Sequence, residues 1–262
     1  MAQVTCIFCG KLRKRAKEHV FAETLLKELG ARSEQITIEH RVFADDSLES
    51  QRKPSYASLV CGDVCETCNN GWMSQLEGRV KPWILGIQRK EDLCFPDQDL
   101  RFTFARWALK TACVIDRIGT EHDIEESVAR ALFEMPDRLP ERVTVFVGFL
   151  DSPGRNLFGL CKRNSWIEYP QNEKCTFPQC STLGGSFKVA FSLGRLMVLV
   201  AMSPNAHLQF VLGTGTQLPV WPSSEYKLHH WFHTMRVGGV DAETALRNFC
   251  DLLAVSHGGR MH

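Results

Sequence analysis

The chain lacks most of the features by which composition alone assigns a compartment or a partner. Its 262 residues carry 31 Lys and Arg against 30 Asp and Glu, a formal net charge of +1. That balance excludes a global electrostatic signature for nucleic acid. No long apolar run is present. The longest, Leu196 to Met202, covers seven residues, where a membrane-spanning helix needs about 20. The opening MAQVTCIFCG has neither the basic stretch nor the apolar core of an export signal. There is no internal repeat and no low-complexity tract. Eleven cysteines are spaced too irregularly for a secreted disulfide scaffold, so reduced thiols and metal binding are the expectation. Together these absences predict a soluble cytoplasmic protein with no membrane association. Hydrophobic residues at 44% and charged residues at 23% suit a globular chain with room for one large or two small domains.

What is there is concentrated near the start. Two Cys-x-x-Cys pairs, Cys6/Cys9 and Cys65/Cys68, bracket a Glu18-His19 dipeptide, and Asn69 follows the last cysteine. Two such pairs can hold one tetrahedral Zn²⁺ through four thiolates at about 2.3 Å. A site closed by four thiolates is structural, which leaves chemistry to the other groups. A histidine with an unperturbed pKa of about 6.5 is largely neutral at working pH and suits a general base. A carboxylate such as Glu18 suits a hard divalent cation, and Asn69 offers a second oxygen. The combination reads as a small metal-dependent nuclease module built on a zinc staple. The plainer alternative makes Glu18 and Asn69 helix caps and His19 a surface residue.

Residues 11–17, KLRKRAK, put five cations into seven positions between the first cysteine pair and Glu18. They are either a solvated loop or phosphate contacts, and beside a nuclease site the second reading gains weight for Lys11, Arg13, Lys14, Arg15 and Lys17. Residues 1–89 contain 13 Lys and Arg against 11 Asp and Glu, so any such footprint is narrow.

The pattern divides the chain into residues 1–89 and 90–262, at the charged, proline-containing KEDLCFPDQD. In the first part VFAETLLKEL reads as a short helix stopped by Gly30. QITIEHRVF and YASLVC read as two strands joined by the polar ADDSLESQRKPS loop. Trp72, Leu76, Val80 and Trp83 or Ile84 form one stripe of a helix starting near Asn69, with Gly71 and Pro82 as imperfections. The second part expects helices at FARWALKTACVIDRI and IEESVARALFEM, then strands at VTVFVGF, NLFGLC, SFKVAFSL, RLMVLVAM and HLQFVL, then helical stretches SEYKLHHWFHTM and DAETALRNFCDLL. The fold class expected is α+β: an N-terminal zinc-stapled module followed by an α+β domain with a mainly antiparallel sheet.

The order Cys6-Ile-Phe-Cys9, Glu18-His19, Cys65-Glu-Thr-Cys68-Asn69 resembles the HNH, or His-Me finger, endonucleases, and within them the arrangement of the phage recombination endonucleases. CxFCG, EHVF and CNNGWMSQLE are also similar to a group of uncharacterised bacterial HNH-like proteins. The resemblance covers roughly residues 4–89. It implies a treble-clef zinc site in a ββα-metal fold, with Cys6, Cys9, Cys65 and Cys68 as structural zinc ligands. It further implies His19 as general base, and Glu18 and Asn69 as ligands of a catalytic Mg²⁺ or Mn²⁺. The implied reaction is phosphodiester hydrolysis leaving 5′-phosphate and 3′-hydroxyl ends, with nucleic acid as partner and DNA favoured over RNA. Glu18 stands where the usual acidic residue is Asp, and Ser58 to Val64 offers no middle Asn.

Other candidates carry less. Cys61 could replace one zinc ligand, and Asn70 could take the place of Asn69. Glu39-His40 repeats the dipeptide on an apparent strand, and His229, His230 and His233 include an i,i+4 pair without a carboxylate to complete a site. Trp72, Trp83, Trp107, Phe102 and Phe104 fall at core-like spacing and read as packing. The competing class of function is a zinc-dependent nucleic-acid-binding or protein-interaction module without catalysis. The role of 90–262 and the oligomeric state, a homo-oligomer included, stay open at this level.

Overall fold

The computed structural model describes residues 2–36, 38–41, 48–89, 95–119, 122–149, 158–163, 165–169, 179–182, 185–203, 208–211, 218–221 and 254–257. It combines helices with mainly antiparallel sheets, the α+β class expected.

The chain begins with a hairpin of β1 (Gln3–Thr5) and β2 (Leu12–Lys14), whose loop carries Cys6 and Cys9. Next come β3 (Glu18–His19) and α1 (Glu23–Glu28). Gly30, at φ +68, ends α1 as expected. Its N–H bonds the Lys27 carbonyl while Ala31 bonds Leu26, the paired closing bonds of a Schellman turn. Strand β4 (Ile38–Arg41) then pairs with β5 (Leu48–Arg52). This departs from the expected pairing of the 35–43 and 56–61 segments. The polar LESQR stretch lies inside the expected loop yet forms a strand, because its ladder partner is close in sequence. The 56–61 segment instead forms a 3₁₀ turn and β6 (Val60–Cys61), which pairs with β3 in the register Glu18↔Cys61 and His19↔Val60.

Helix α2 (Glu66–Cys68) starts directly after Cys65 and runs through a π-type turn at Asn69–Met73 into α3 (Ser74–Gln88). The break falls at Gly71, whose backbone leaves the helical region (φ −95°, ψ −115°). Pro82 lies inside α3 without dividing it. The buried face of α3 is Leu76, Val80, Trp83, Ile84 and Ile87, the expected stripe.

Helix α4 (Gln98–Ile118) follows, with Asp97 as its N-cap: the Oδ1 accepts from the Leu100 N–H at 2.6 Å. Thirteen of its residues are buried, Lys110 and Asp116 among them, so α4 is a central helix enclosed on most sides. Then come α5 (Glu126–Glu134) and the strands β7 (Val143–Phe149), β8 (Phe158–Arg163), β9 (Ser165–Tyr169), β10 (Gln179–Thr182), β11 (Phe187–Leu193), β12 (Leu196–Met202), β13 (Leu208–Val211), β14 (Leu218–Trp221) and β15 (Ala254–His257). One sheet is antiparallel throughout, in the order β14-β7-β12-β11-β8. A second has the order β10-β9-β15-β13, with β15 and β9 parallel. The helical stretches expected at 224–235 and 241–253, with His229, His230 and His233, lie outside the described residues.

One buried apolar cluster runs from Cys6 to Val220 and continues across residue 90. The polar-looking KEDLCFPDQD segment contributes Phe95, which stacks on Trp83 of α3 at 4.2 Å. Gln88, the last residue of α3, donates to the Leu193 carbonyl and accepts from the Arg195 N–H, closing the turn between β11 and β12. Trp72, expected in packing, sits edge-on to Phe8 at 5.3 Å with the Arg106 guanidinium 5.8 Å from its ring, so it joins the first cysteine loop to α4. Among the described residues no helix is long and apolar enough to cross a membrane.

Candidate metal centre and active site

The two cysteine pairs meet because each lies at a point where the backbone turns. Cys6 and Cys9 occupy the β1–β2 loop, closed by hydrogen bonds from Cys6 N to Lys11 O and from Gly10 N to Cys6 O. Gly10 is at φ +67, a conformation that glycine adopts without steric cost. Cys65 precedes α2 and Cys68 lies on it. The bridge Arg15↔Cys65 and the bonds Ala16 N to Val64 O and Ile7 N to Asp63 O bring the two loops together.

As a result the four sulfurs lie within 4.8 Å of one another, with Cys9 Sγ and Cys65 Sγ 3.8 Å apart. Four thiolates at about 2.3 Å from a tetrahedral Zn²⁺ would be separated by about 3.8 Å, so the cluster fits a metal ion such as zinc. The electrostatics agree. The Cys68 side chain hydrogen-bonds Cys6 and pulls the Cys6 thiol down to about 4 against the effect of burial. The same contact, then burial, pushes Cys68 up, and burial pushes Cys65 up. Four sulfurs this close ionise together only around a cation, which is what a divalent metal supplies. Cys61, the alternative ligand, lies outside the cluster; it is buried, its Sγ accepts from the Asp63 N–H, and burial raises it to about 11.

Glu18 and His19 are brought together on β3, facing Cys61 and Val60 of β6. His19 is half-buried, and its Nδ1 is buried with no hydrogen-bond partner among the described residues. Asn69 is half-buried at the start of the π-type turn, its N–H bonded to the Cys65 carbonyl, while Asn70 is exposed. No hydrogen bond among the described residues links Asn69 to Glu18 or His19. Glu39 and His40 lie on β4, paired with Gln51 and Ser50 of β5, and are not on the Glu18-His19 strand.

Two residues without a sequence signal join the site. Glu18 is only 4% exposed, and its Oε1 accepts from Lys110 Nζ at 3.1 Å. Lys110, from α4 and fully buried, also donates to Glu77 Oε1 of α3 at 2.6 Å. Burial raises the Glu18 carboxyl above its ordinary range; Lys110 opposes this and Glu77 reinforces it. Burial disfavours the Lys110 charge, yet Glu77 and Glu18 outweigh it and hold the ammonium protonated. The two directions are consistent: one ammonium neutralises one carboxylate, and the second is excess charge. Neither the position of Lys110, 92 residues after Glu18, nor any spacing marks it in the sequence.

The basic stretch is divided in use. Arg13 donates to Thr67 Oγ1 at 2.8 Å, Lys14 pairs with Glu66 at 2.5 Å, and Arg15 Nε donates to the Gly62 carbonyl at 2.8 Å. All three fasten β2 and the residues after it to the second cysteine loop. A Cβ at Gly62 would collide with the Arg15 guanidinium, so glycine there admits the contact. Lys11 and Lys17 are exposed. A cleft of about 650 Å³ opens between Lys14, Arg15 and Lys17 on one side and Val60, Cys61 and Gly62 on the other, directly beside the β3–β6 pair.

Comparison with known proteins adds no relative: no family model matches the chain, and neither a curated protein nor a solved structure matches it.

Proposed function

We propose that residues 1–89 are a zinc-stapled, treble-clef ββα-metal nuclease module, and that the protein is a metal-dependent endonuclease acting on phosphodiester bonds, with DNA as the favoured substrate. The observation that carries this reading is the connection of β3, with Glu18-His19, through β6 to the helix that follows Cys65. Two short strands and a helix are thereby assembled around the four-cysteine cluster. A basic cleft beside the strand pair supports a phosphate-bearing substrate.

In this reading Cys6, Cys9, Cys65 and Cys68 hold a structural zinc. Glu18 and Asn69 are the oxygen donors for Mg²⁺ or Mn²⁺, which when bound would stabilise charge on the phosphate and on the leaving oxygen. His19 accepts a proton from the attacking water. Lys17 and Lys11 neutralise flanking phosphates. Full-length, zinc-loaded protein should nick supercoiled plasmid with Mg²⁺ or Mn²⁺. His19→Ala should keep its zinc and fold while cutting about 10²- to 10⁴-fold more slowly. A wild type that cuts nothing with either metal defeats the proposal.

A second reading, a zinc-dependent nucleic-acid-binding or protein-interaction module, is favoured by one contact: Lys110 already holds one oxygen of Glu18. The same wild-type assay separates the two.

A further inference from the structure

Of the three cationic side chains fastened to the second cysteine loop, Arg15 is the one whose charge stays uncompensated. Lys14 is neutralised by Glu66, and Arg13 spends an Nη donor on Thr67. Arg15 donates only through Nε, to the Gly62 carbonyl at 2.8 Å. An arginine carries five N–H donors and no acceptor, so the donors on both Nη atoms remain. Among the described residues none of these has a partner, and no carboxylate pairs with Arg15.

Gly62 makes this placement possible. A Cβ there would fall on the Arg15 guanidinium, so the group occupies space that any other residue would fill. Seated on the glycine and held by Nε, the guanidinium is ordered before any ligand arrives. A ligand therefore does not have to meet the entropy cost of ordering a long side chain.

The seated group lines the cleft of about 650 Å³ together with Lys17, which is exposed and also has no carboxylate partner among the described residues. No acidic residue is in the lining, which is otherwise small or apolar: Ala2, Ala16, Val60, Cys61 and Gly62 beside Lys14. It offers no aromatic ring to stack a base, and no amide or hydroxyl to read one. Its chemistry suits a phosphate.

We infer that Arg15 is the phosphate-binding fork of this cleft: seated on Gly62, it takes two oxygens of one nucleic-acid backbone phosphate through its Nη atoms, and Lys17 adds charge beside it. A planar fork matches two phosphate oxygens, where a lysine presents only a point charge. The identity of the ligand rests on the nuclease reading; the geometry of the fork does not.

The test is binding of fluorescein-labelled duplex DNA to the zinc-loaded full-length protein, read by anisotropy across a salt series. Mg²⁺ and Mn²⁺ are omitted so that nothing is cut. Wild type, Arg15→Lys, Arg15→Gln and Gly62→Ala are compared on two duplexes of unrelated sequence, with zinc content and thermal melting as checks on folding. Arg15→Lys keeps the charge and loses the fork, so it should bind about tenfold more weakly with an unchanged slope of log affinity against log salt. Arg15→Gln should bind more weakly still, with a slope shallower by about 0.9. Gly62→Ala alters no charge, yet should weaken binding about as much as Arg15→Lys, because its Cβ displaces the guanidinium. A role confined to fastening the loop would change melting and leave affinity and slope as they are. Phosphate ion should displace the duplex no better than sulfate at equal ionic strength; preferential displacement would reassign the fork to free phosphate and overturn the inference. Should Gly62→Ala fail to fold, the Arg15 variants decide, because that side chain is exposed. Affinity and slope equal to wild type in both Arg15 variants, a loss on one sequence alone, or no DNA binding by the wild type overturns the inference. If binding shifts as stated but the wild type cuts nothing when either metal is added, the fork stands and the nuclease reading falls.

Discussion

The cysteine cluster and the Glu18–Lys110–Glu77 triad are built in opposite ways. The cluster draws its sulfurs from the β1–β2 loop and from the start of α2, each supplying a pair three residues apart, and its donors are soft sulfurs suited to a closed site. The triad draws one side chain from each of three elements, with partners 92 and 33 residues from Lys110, and its carboxylates are hard donors gathered around an ammonium. The difference teaches which kind of centre a sequence can announce. Ligands three apart in a turn are a local geometry, visible as spacing. Ligands delivered by separate elements exist only after those elements have packed.

The strongest way to break the comparison is to remove the metal. A structural zinc contributes on the order of 10 kcal/mol of folding free energy, so chelation or Cys68→Ser should lose the zinc and unfold residues 1–89. Because one apolar cluster runs from Cys6 to Val220, the loss should also lower the melting of the segments that share it. Metal analysis with circular dichroism reads both. Stoichiometric zinc in a Cys6→Ser/Cys9→Ser protein would show that the cluster is not the site.

A smaller effect sharpens the triad. Burial raises the Glu18 carboxyl above its ordinary value of 4.5, so the folded state binds its proton more tightly than the unfolded state does. Between the unfolded and the folded pKa, stability therefore falls as pH rises, by at most about 1.4 kcal/mol per pH unit. Denaturant melts from pH 4 upward should show that slope in wild type, with Glu18→Gln lacking it. Equal slopes would mean that Glu18 does not titrate as its burial requires.

The smallest effect concerns the basic stretch, which divides between near and far in the same manner. Arg13, Lys14 and Arg15 are tied to Thr67, Glu66 and Gly62 of the second cysteine loop, whereas Lys11 and Lys17 are exposed. Lys11→Gln/Lys17→Gln should leave melting unchanged. It should weaken DNA binding uniformly, with a slope of log affinity against log salt shallower by about 0.9 for each phosphate no longer neutralised. Neutralising Arg13, Lys14 and Arg15 should lower the melting temperature as well. A salt titration without divalent metal decides, and an unchanged slope in the double variant would return those lysines to plain solvation.

Much of the fold was legible for a physical reason in each case. The α3 stripe, the glycine that ends α1 and the apolar strands β7, β11 and β12 all follow from periodicity or from a single backbone requirement. What escaped was set by partners distant in sequence. Strand β3 finds β6 across α1 and the β4–β5 hairpin. Polar β5 is a strand through its ladder, not its composition. The break in the helix after Cys68 fell at Gly71 rather than Pro82, since a glycine leaves the helical region without a Cβ to oppose it.

By itself, the sequence determined the four cysteines that come together, because their spacing already contains the turn geometry that a tetrahedral metal needs. It also determined that Glu18 and His19 share one short element, since they are adjacent. Only the tertiary structure decided what Glu18 would face. Burying α4 carried Lys110 into the core, and a buried ammonium must sit against carboxylates, so the packing of a distant helix settled the surroundings of the most reactive-looking pair in the chain.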